Sequence, residues 1–347
     1  MTFPRLAPHA WLSLFLLHFS LSIIVCFVSN NVLTRLDHRR ETVRQQFAIL
    51  EGHSYLVDGQ EADWPPFRSR VLFPAMLALA SRWEIVPPEA WFVILRLATA
   101  FVGFLAFSLL LIEVAGASLK LAAAGCGWLA LGLILTFNHS WEHPTDFLDV
   151  IFFSVALWLA VRKQRASLFA ATVLGTLNHQ TAAFGGVLWM CLHGLDSSRR
   201  IRPIEIGYAG LLMASSRLTS WLVEKAIRGS AGWDYVVNGY QTIEQLRHFL
   251  AHPYASGWPV LLFALVAPTV VWLTVNRKTL DAIDRRILVA AAMTIAISSV
   301  VAFMAELRSV FLTPHVMATF VAAGAEARAS HAARQSTEAR RTAAPGA

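Results

Sequence analysis

Residues 91–112 read WFVILRLATAFVGFLAFSLLLI, and this stretch decides the fold class of the chain. A helix of that length is about 33 Å long at 1.5 Å per residue, which matches the hydrocarbon core of a bilayer. Arg96 is the only charged residue in the stretch. A charge at membrane depth is costly and usually marks a site or a pathway. The stretch therefore predicts a membrane-spanning helix with a functional position inside it.

Comparable apolar stretches fill most of the sequence on both sides. Of the 347 residues, 56% are hydrophobic and only 15% are charged, and the mean hydropathy is +0.53. Soluble domains carry about 25% charged residues, so this composition indicates an integral membrane protein. The candidate spans are residues 11–29, 91–112, 121–137, 147–161, 167–195, 206–223, 257–276, 287–304 and 309–324.

Two features set the number of spans. The stretch 167–195 is too long for one ordinary span, and Asn178, His179 and Gln180 interrupt it, so we predict two short helices that meet at this polar triplet. The apolar run 71–81 is only about half a span long and has arginines on both sides, which is typical of a juxtamembrane helix in the interface. The prediction is an all-α fold with about ten transmembrane helices.

The basic residues orient these spans. With the N-terminus in the cytoplasm and 71–81 not crossing the membrane, the cytoplasmic segments contain 16 of the 29 lysines and arginines. When the long first loop is left out, 16 basic residues lie on the cytoplasmic side and 4 on the outer side, as the positive-inside rule requires. Residues 1–325 are predicted as a multi-pass membrane domain, in which residues 30–90 form a long outer loop. Residues 326–347, rich in alanine and arginine, are predicted as a disordered cytoplasmic tail.

This orientation brings the charges within the spans to one membrane face. Arg96, Asp149 and Arg217 all fall within a few turns of the outer end of their helices. Each of them could instead extend its charged end to the lipid headgroups. Three such charges on one face favour a site that opens to the extracytoplasmic side.

The outer segment 139–146, HSWEHPTD, has three interpretations. Two histidines four positions apart, with Glu142 and Asp146 nearby, are compatible with a metal site. Pro144 interrupts a continuous helical face, however, and a proline followed by Asp146 is typical of a helix N-terminus. The third interpretation is a substrate-facing cluster in which Glu142 and His143 bind hydroxyl groups. No cofactor is predicted, and the pattern gives a divalent metal little support.

Other polar positions on the outer side are Asp37, shortly after the first span, and Glu306 and Arg308 in a short loop, where a surface ion pair is an equal alternative. The three cysteines form no CxxC pair, so neither a disulfide framework nor a zinc site is implied. No basic stripe with interleaved aromatic residues occurs, so nucleic acid is not an expected partner.

Several of these segments together resemble a known family. They are PFRSRVLFP at 66–74, LGTLNHQTA at 174–182, the early acid Asp37, the arginine Arg96 near the start of the second span, and Asp146 at the start of the fourth. The pattern resembles the polytopic glycosyltransferases of the GT-C class, particularly the bacterial enzymes that use lipid-linked sugars. Such a protein would lie in the bacterial inner (plasma) membrane with both termini cytoplasmic.

The resemblance implies a hexosyl or pentosyl transferase of the cell envelope, with a polyprenyl-phosphate-linked sugar as donor and a glycan or lipid as acceptor. In this interpretation Asp37 is the general base. The substrate-binding residues implied are Arg70, Arg96, Glu142, His143, Asp146, His179, Gln180, Arg217, Glu306 and Arg308.

Two alternatives stay open. A transporter or flippase for a lipid-linked or anionic solute should show polar residues through the full membrane depth or paired inverted halves. The inner halves of these spans are apolar, which favours a transferase. A non-catalytic membrane assembly subunit is the other alternative. The sequence contains no signal that indicates an oligomeric state.

Overall fold

The computed structural model describes residues 8–28, 36–53, 56–57, 60–61, 70–137, 146–196, 198, 200–228, 268–301 and 307–342. Eleven helices are labelled here in chain order. They are α1 Pro8–Val28, α2 Leu36–Leu50, α3 Leu72–Ser81, α4 Pro88–Glu113, α5 Leu119–Phe137, α6 Asp146–Val161, α7 Arg165–Thr176, α8 Phe184–His193, α9 Pro203–Arg228, α10 Ala282–Val301 and α11 Leu307–Thr342. A further helical segment covers 268–275. Strands Leu56–Val57 and Gln60–Glu61 form a small antiparallel hairpin.

The all-α fold class is confirmed for the described part of the chain. Two helical segments, Pro8–Phe27 and Pro88–Glu113, are long and apolar enough to cross a membrane by length and composition. Leu72–Ser81 and Leu119–Ile134 are shorter apolar helices. Helix α4 starts with Pro88 and Glu89, where the fixed φ of proline and an acidic side chain both favour a helix N-terminus.

The predicted break in the stretch 167–195 is present. Helix α7 ends at Thr176, a 3₁₀ turn covers Gln180–Ala183, and α8 begins at Phe184. The His179 side chain accepts a hydrogen bond from the backbone N–H of Thr181, which caps the turn. The run 71–81 forms the separate short helix α3, as predicted. Most of the predicted span 257–276 lies outside the described residues.

Helix α6 lies at the centre of the described bundle. It packs against α4, α7, α8 and α11. Its Phe147, Leu157 and Ala160 are buried in the main hydrophobic core, together with Phe104 of α4 and Val316 of α11. The residues at the start of α6 therefore face several helices at once, which makes this end of the bundle the place where distant segments meet.

A chain of buried polar groups connects three helices. The Nε2 atom of His18 in α1 lies 2.7 Å from the Ser108 hydroxyl in α4, and this hydroxyl lies 3.1 Å from the Cys126 sulfur in α5. All three side chains are buried. Polar groups enclosed by apolar side chains require hydrogen-bond partners, so the two contacts fix the relative position of α1, α4 and α5.

Helix α11 extends through most of the predicted tail. The sequence predicts disorder over 326–347, but α11 continues to Thr342. Alanine, arginine, glutamate and glutamine have high helix propensity, and this outweighs the lack of an apolar face. Arg328 also contacts Asp281 at 3.6 Å and hydrogen-bonds Asp284, which ties the extension to the start of α10. Among the side chains that the structure describes, Ala325 is the last buried one in α11.

Helices α8 and α9 approach each other closely at Gly186. A Cβ atom at this position would lie 2.7 Å from the carbonyl oxygen of Ala209 and 2.8 Å from a side-chain carbon of Met213. We therefore expect Gly186→Ala to lower the free energy of unfolding by about 1–3 kcal/mol, because the backbones must separate. The measurement is a denaturant titration of the purified protein in detergent.

Gly207→Ala in α9 is the matched control, because nothing lies within 4 Å of a Cβ atom at that position. This substitution is expected to leave stability unchanged or to raise it by up to about 1 kcal/mol through helix propensity. Equal stability of Gly186→Ala and the wild-type chain would contradict the close approach of α8 and α9.

Candidate functional site

One backbone hydrogen bond brings the start of α3 to the break between α7 and α8. The N–H of Leu72 donates to the carbonyl oxygen of Leu177 at 2.9 Å. Leu72 is the first residue of α3, and Leu177 directly follows α7. Arg70 therefore lies beside Asn178 and His179, although more than 100 residues separate them in the sequence.

These residues meet a carboxylate of α6. Nδ2 of Asn178 donates to Oδ1 of Asp149 at 2.7 Å, and Nδ1 of His179 lies 3.9 Å from Oδ2 of Asp149. Arg70 interacts electrostatically with both Asp149 and His179. All four residues are buried. We call Arg70, Asp149, Asn178 and His179 the polar cluster.

The hydrogen bonds of His179 define which ring nitrogen carries a proton. The backbone N–H of Thr181 donates to Nδ1 at 3.2 Å, and the Thr181 hydroxyl lies 2.6 Å from the same atom. Nδ1 therefore acts as the acceptor, and the neutral ring carries its proton on Nε2. At 3.9 Å, Nδ1 does not share a hydrogen bond with Asp149. The His179 imidazole is thus positioned by its hydrogen bonds to Thr181 and is not hydrogen-bonded through Nδ1 to Asp149.

A second guanidinium lies next to this cluster. Arg96 of α4 is fully buried, and its Cζ atom lies 5.1 Å from the centre of the Phe147 ring. It interacts electrostatically with the carboxyl group of Asp146. Asp146 and Asp149 are three residues apart on α6 and so share a helix face. The carboxylates of Asp146 and Asp149 at the start of α6 therefore interact with the guanidiniums of Arg96 and Arg70, respectively. The helix dipole also favours negative charge at this end of α6.

Some of the predicted site residues belong to parts of the chain that the structure does not describe. Glu142, His143 and Glu306 lie outside the described residues, as does the side chain of Arg308. The metal interpretation of 139–146 therefore falls outside the described residues except for Asp146. In the ranges that the structure does describe, no group of three or more His, Cys, Asp and Glu side chains could hold a metal ion.

The other predicted residues have different environments. Asp37 lies in the first turn of α2 and is exposed. Gln180 is half-buried in the 3₁₀ turn, and Arg217 is half-buried on α9. Sequence reasoning missed Asn178 as a site residue, although it belongs to the polar triplet that predicted the break. Asp149 was recognised as a charge within a span but not as the centre of a site.

A small cavity borders Asp149. Its volume is about 10 Å³, and it is lined by Asp149, Phe152, Phe153, Ala156, Ala171, Thr172 and Ala182. A space of this size accommodates one water molecule at most. It is too small for a sugar ring.

Comparison of the chain with protein-family models, with curated proteins and with solved structures gives no match. The polar cluster, the charges around it and the resemblance of the sequence segments are therefore the observations that bear on function.

Proposed function

We propose that the chain is a glycosyltransferase of the bacterial inner membrane, with about ten transmembrane helices. It transfers a sugar from a polyprenyl-phosphate donor to a glycan or lipid acceptor on the extracytoplasmic face. The polar cluster is the observation that carries this proposal. A guanidinium, a carboxylate, an amide and an imidazole from three distant segments meet among apolar helices there. Buried polar groups of this kind in membrane proteins usually serve function.

The reaction requires a fixed positive charge near the membrane boundary. The acceptor oxygen forms a bond to the anomeric carbon while the bond from that carbon to the phosphate oxygen breaks. The lipid phosphate leaves with the electron pair, and a nearby cation stabilises the charge that develops. We assign this role to Arg70, because arginine binds phosphate with two parallel hydrogen bonds. Arg96 is fully enclosed and contributes only through its electric field.

The reaction also needs a base for the hydroxyl proton of the acceptor, and we assign this role to Asp37. Its carboxylate is exposed and thus accessible to an acceptor. Helix α2, which carries Asp37, packs against α3 and α4. Arg70 lies just before α3, and Arg96 lies within α4. Asp149 is less suited to be the base, because Asn178 and Arg70 already engage it. It positions the cluster instead.

The test is a transfer assay with the purified chain in liposomes. A radiolabelled polyprenyl-phosphate sugar is added with membrane glycans or glycolipids as acceptors. We expect release of polyprenyl phosphate that depends on both the protein and the acceptor. Movement of the intact donor across the bilayer without release of its phosphate would instead identify a transporter. Neither release nor movement, across a panel of donors, would favour the non-catalytic subunit.

The proposed orientation has a separate test by cysteine labelling. Glu51 and Arg200 are both exposed, and they lie on opposite predicted faces. A membrane-impermeant maleimide added to intact cells should label Glu51→Cys and leave Arg200→Cys unlabelled until the membrane is opened. Cys26 and Cys126 are buried and Cys191 is half-buried, so labelling of the wild-type chain gives the background to subtract. Labelling of Arg200→Cys in intact cells would overturn the orientation.

A further inference from the structure

A second polar site lies at the other end of the bundle, close to the turn between α6 and α7. It is a cavity of about 270 Å³, and we call it the basic cavity. It is lined by Lys163, Arg165, Trp189, His193, Arg202 and Glu205. These residues come from the α6–α7 turn, from the second half of α8, and from the start of α9. In the proposed orientation this is the cytoplasmic face.

Glu205 organises one wall of the basic cavity. One of its carboxylate oxygens accepts a hydrogen bond from Arg165 at 2.6 Å, and the other accepts one from the indole N–H of Trp189 at 3.0 Å. The guanidinium of Arg165 lies 5.9 Å from the ring centres of both Trp189 and Tyr208. The Tyr208 hydroxyl donates to the carbonyl oxygen of Arg165 at 2.5 Å. This wall is therefore built before any ligand binds.

The remaining charge of the cavity is positive. Three cations and one carboxylate line it, which gives a net charge of +2 with His193 neutral. Arg165 and Glu205 compensate each other, so Lys163 and Arg202 carry the excess. Lys163 has a φ of 58°, in the left-handed region that a residue with a side chain rarely adopts. Such strain tends to persist at sites with a function.

The surroundings of the basic cavity are apolar. Ile201 and Ile204, on either side of Arg202, are 67% and 76% exposed, and Leu195 is 44% exposed. Exposed aliphatic side chains next to a basic cavity suit a ligand that carries both a phosphate and acyl chains. Tryptophan and tyrosine, which line or support the cavity, are also enriched where membranes meet water.

We propose that the basic cavity binds a phosphate group and that its source is the headgroup of an anionic phospholipid in the cytoplasmic leaflet. Basic pockets between helices on this face are suited to such headgroups. The cavity would thus fix the helices α6–α9 to a lipid at the face opposite to the polar cluster. This inference does not depend on the proposed transfer reaction.

The test uses the full chain in detergent with native mass spectrometry. Cardiolipin or phosphatidylcholine is added, and the fraction of protein that keeps one lipid is measured. We expect Lys163→Gln and Arg202→Gln each to weaken cardiolipin binding about fivefold, because each basic residue contributes modestly to attraction of an anionic lipid. Phosphatidylcholine binding should not change in either variant.

Arg200→Gln is the matched control, because Arg200 is exposed in the same turn but does not line the basic cavity. It should bind cardiolipin as the wild-type chain does. Equal losses in all three variants would show diffuse attraction and overturn the proposal, as would wild-type binding by Lys163→Gln and Arg202→Gln. Complete displacement of cardiolipin by millimolar inorganic phosphate would overturn the lipid as the source. Thermal unfolding of each variant identifies any loss that comes from misfolding.

Discussion

Asp37→Asn is expected to reduce sugar transfer by a factor of about 10²–10⁴ while the protein stays folded, because this is the contribution of a positioned general base. The substitution preserves the shape of the side chain but removes its ability to take a proton. Asp37 is exposed at the start of α2, so its replacement leaves no buried group without a partner. The loss should appear in kcat, with little change in KM for the acceptor.

The control for Asp37→Asn is Glu51→Gln. Glu51 follows the other end of α2 and is also exposed, so both substitutions remove one surface carboxylate from the same part of the chain. Glu51→Gln should retain full transfer activity. Normal transfer by well-expressed Asp37→Asn protein would remove Asp37 from the mechanism. If the proposed function still held, Asp149 would then be the next carboxylate to examine.

The helices were predictable because their signal is local. A stretch such as 91–112 can hardly be anything but a helix in a membrane protein, since only helices and closed barrels satisfy the backbone there. The polar triplet 178–180 likewise predicted the break between α7 and α8, because polar residues inside an apolar run need a separate environment. The bounds of α4 differ from the predicted span by at most three residues at either end.

The pairing of side chains was not predictable in the same way. The charges Arg96 and Asp149 were expected near one face, but nothing in the sequence indicates that Asn178 donates to Asp149. That contact depends on the packing of α6 against the helix break. The position of Arg70 depends in addition on the backbone hydrogen bond between α3 and the end of α7. Such contacts are set by tertiary structure and leave no periodic trace.

The basic cavity was missed for a related reason. Its lysine and arginines were assigned to orientation, which explains basic residues in short loops without any binding site. Only the structure shows that Lys163 and Arg202 line one cavity. It also shows that Glu205 accepts hydrogen bonds from both Arg165 and Trp189 there. Orientation and lipid binding are compatible, because both use positive charge at the face that we propose to be cytoplasmic.

Asp149→Ala is expected to lower the free energy of unfolding by about 3–5 kcal/mol, the cost typical of removing one partner from a buried charged pair. The carboxylate accepts a hydrogen bond from Asn178 and faces Arg70, and both of these side chains are buried. Its loss removes a negative charge that interacts electrostatically with the buried Arg70 guanidinium. Denaturant titration in detergent, or the yield of folded protein, measures the effect.

Two further variants separate the charge effect from the simple loss of a side chain. Asp281→Ala removes a carboxylate that is 45% exposed, lies 3.6 Å from Arg328 and accepts a hydrogen bond from the backbone N–H of Asp284 at 2.8 Å. It should cost only about 1–2 kcal/mol, the usual range for a lost helix cap and a surface ion pair. Arg70→Met in the Asp149→Ala background removes the uncompensated cation and should recover much of the lost stability. A double variant no more stable than Asp149→Ala would show that Arg70 and Asp149 are not coupled. The polar cluster would then be two independent contacts.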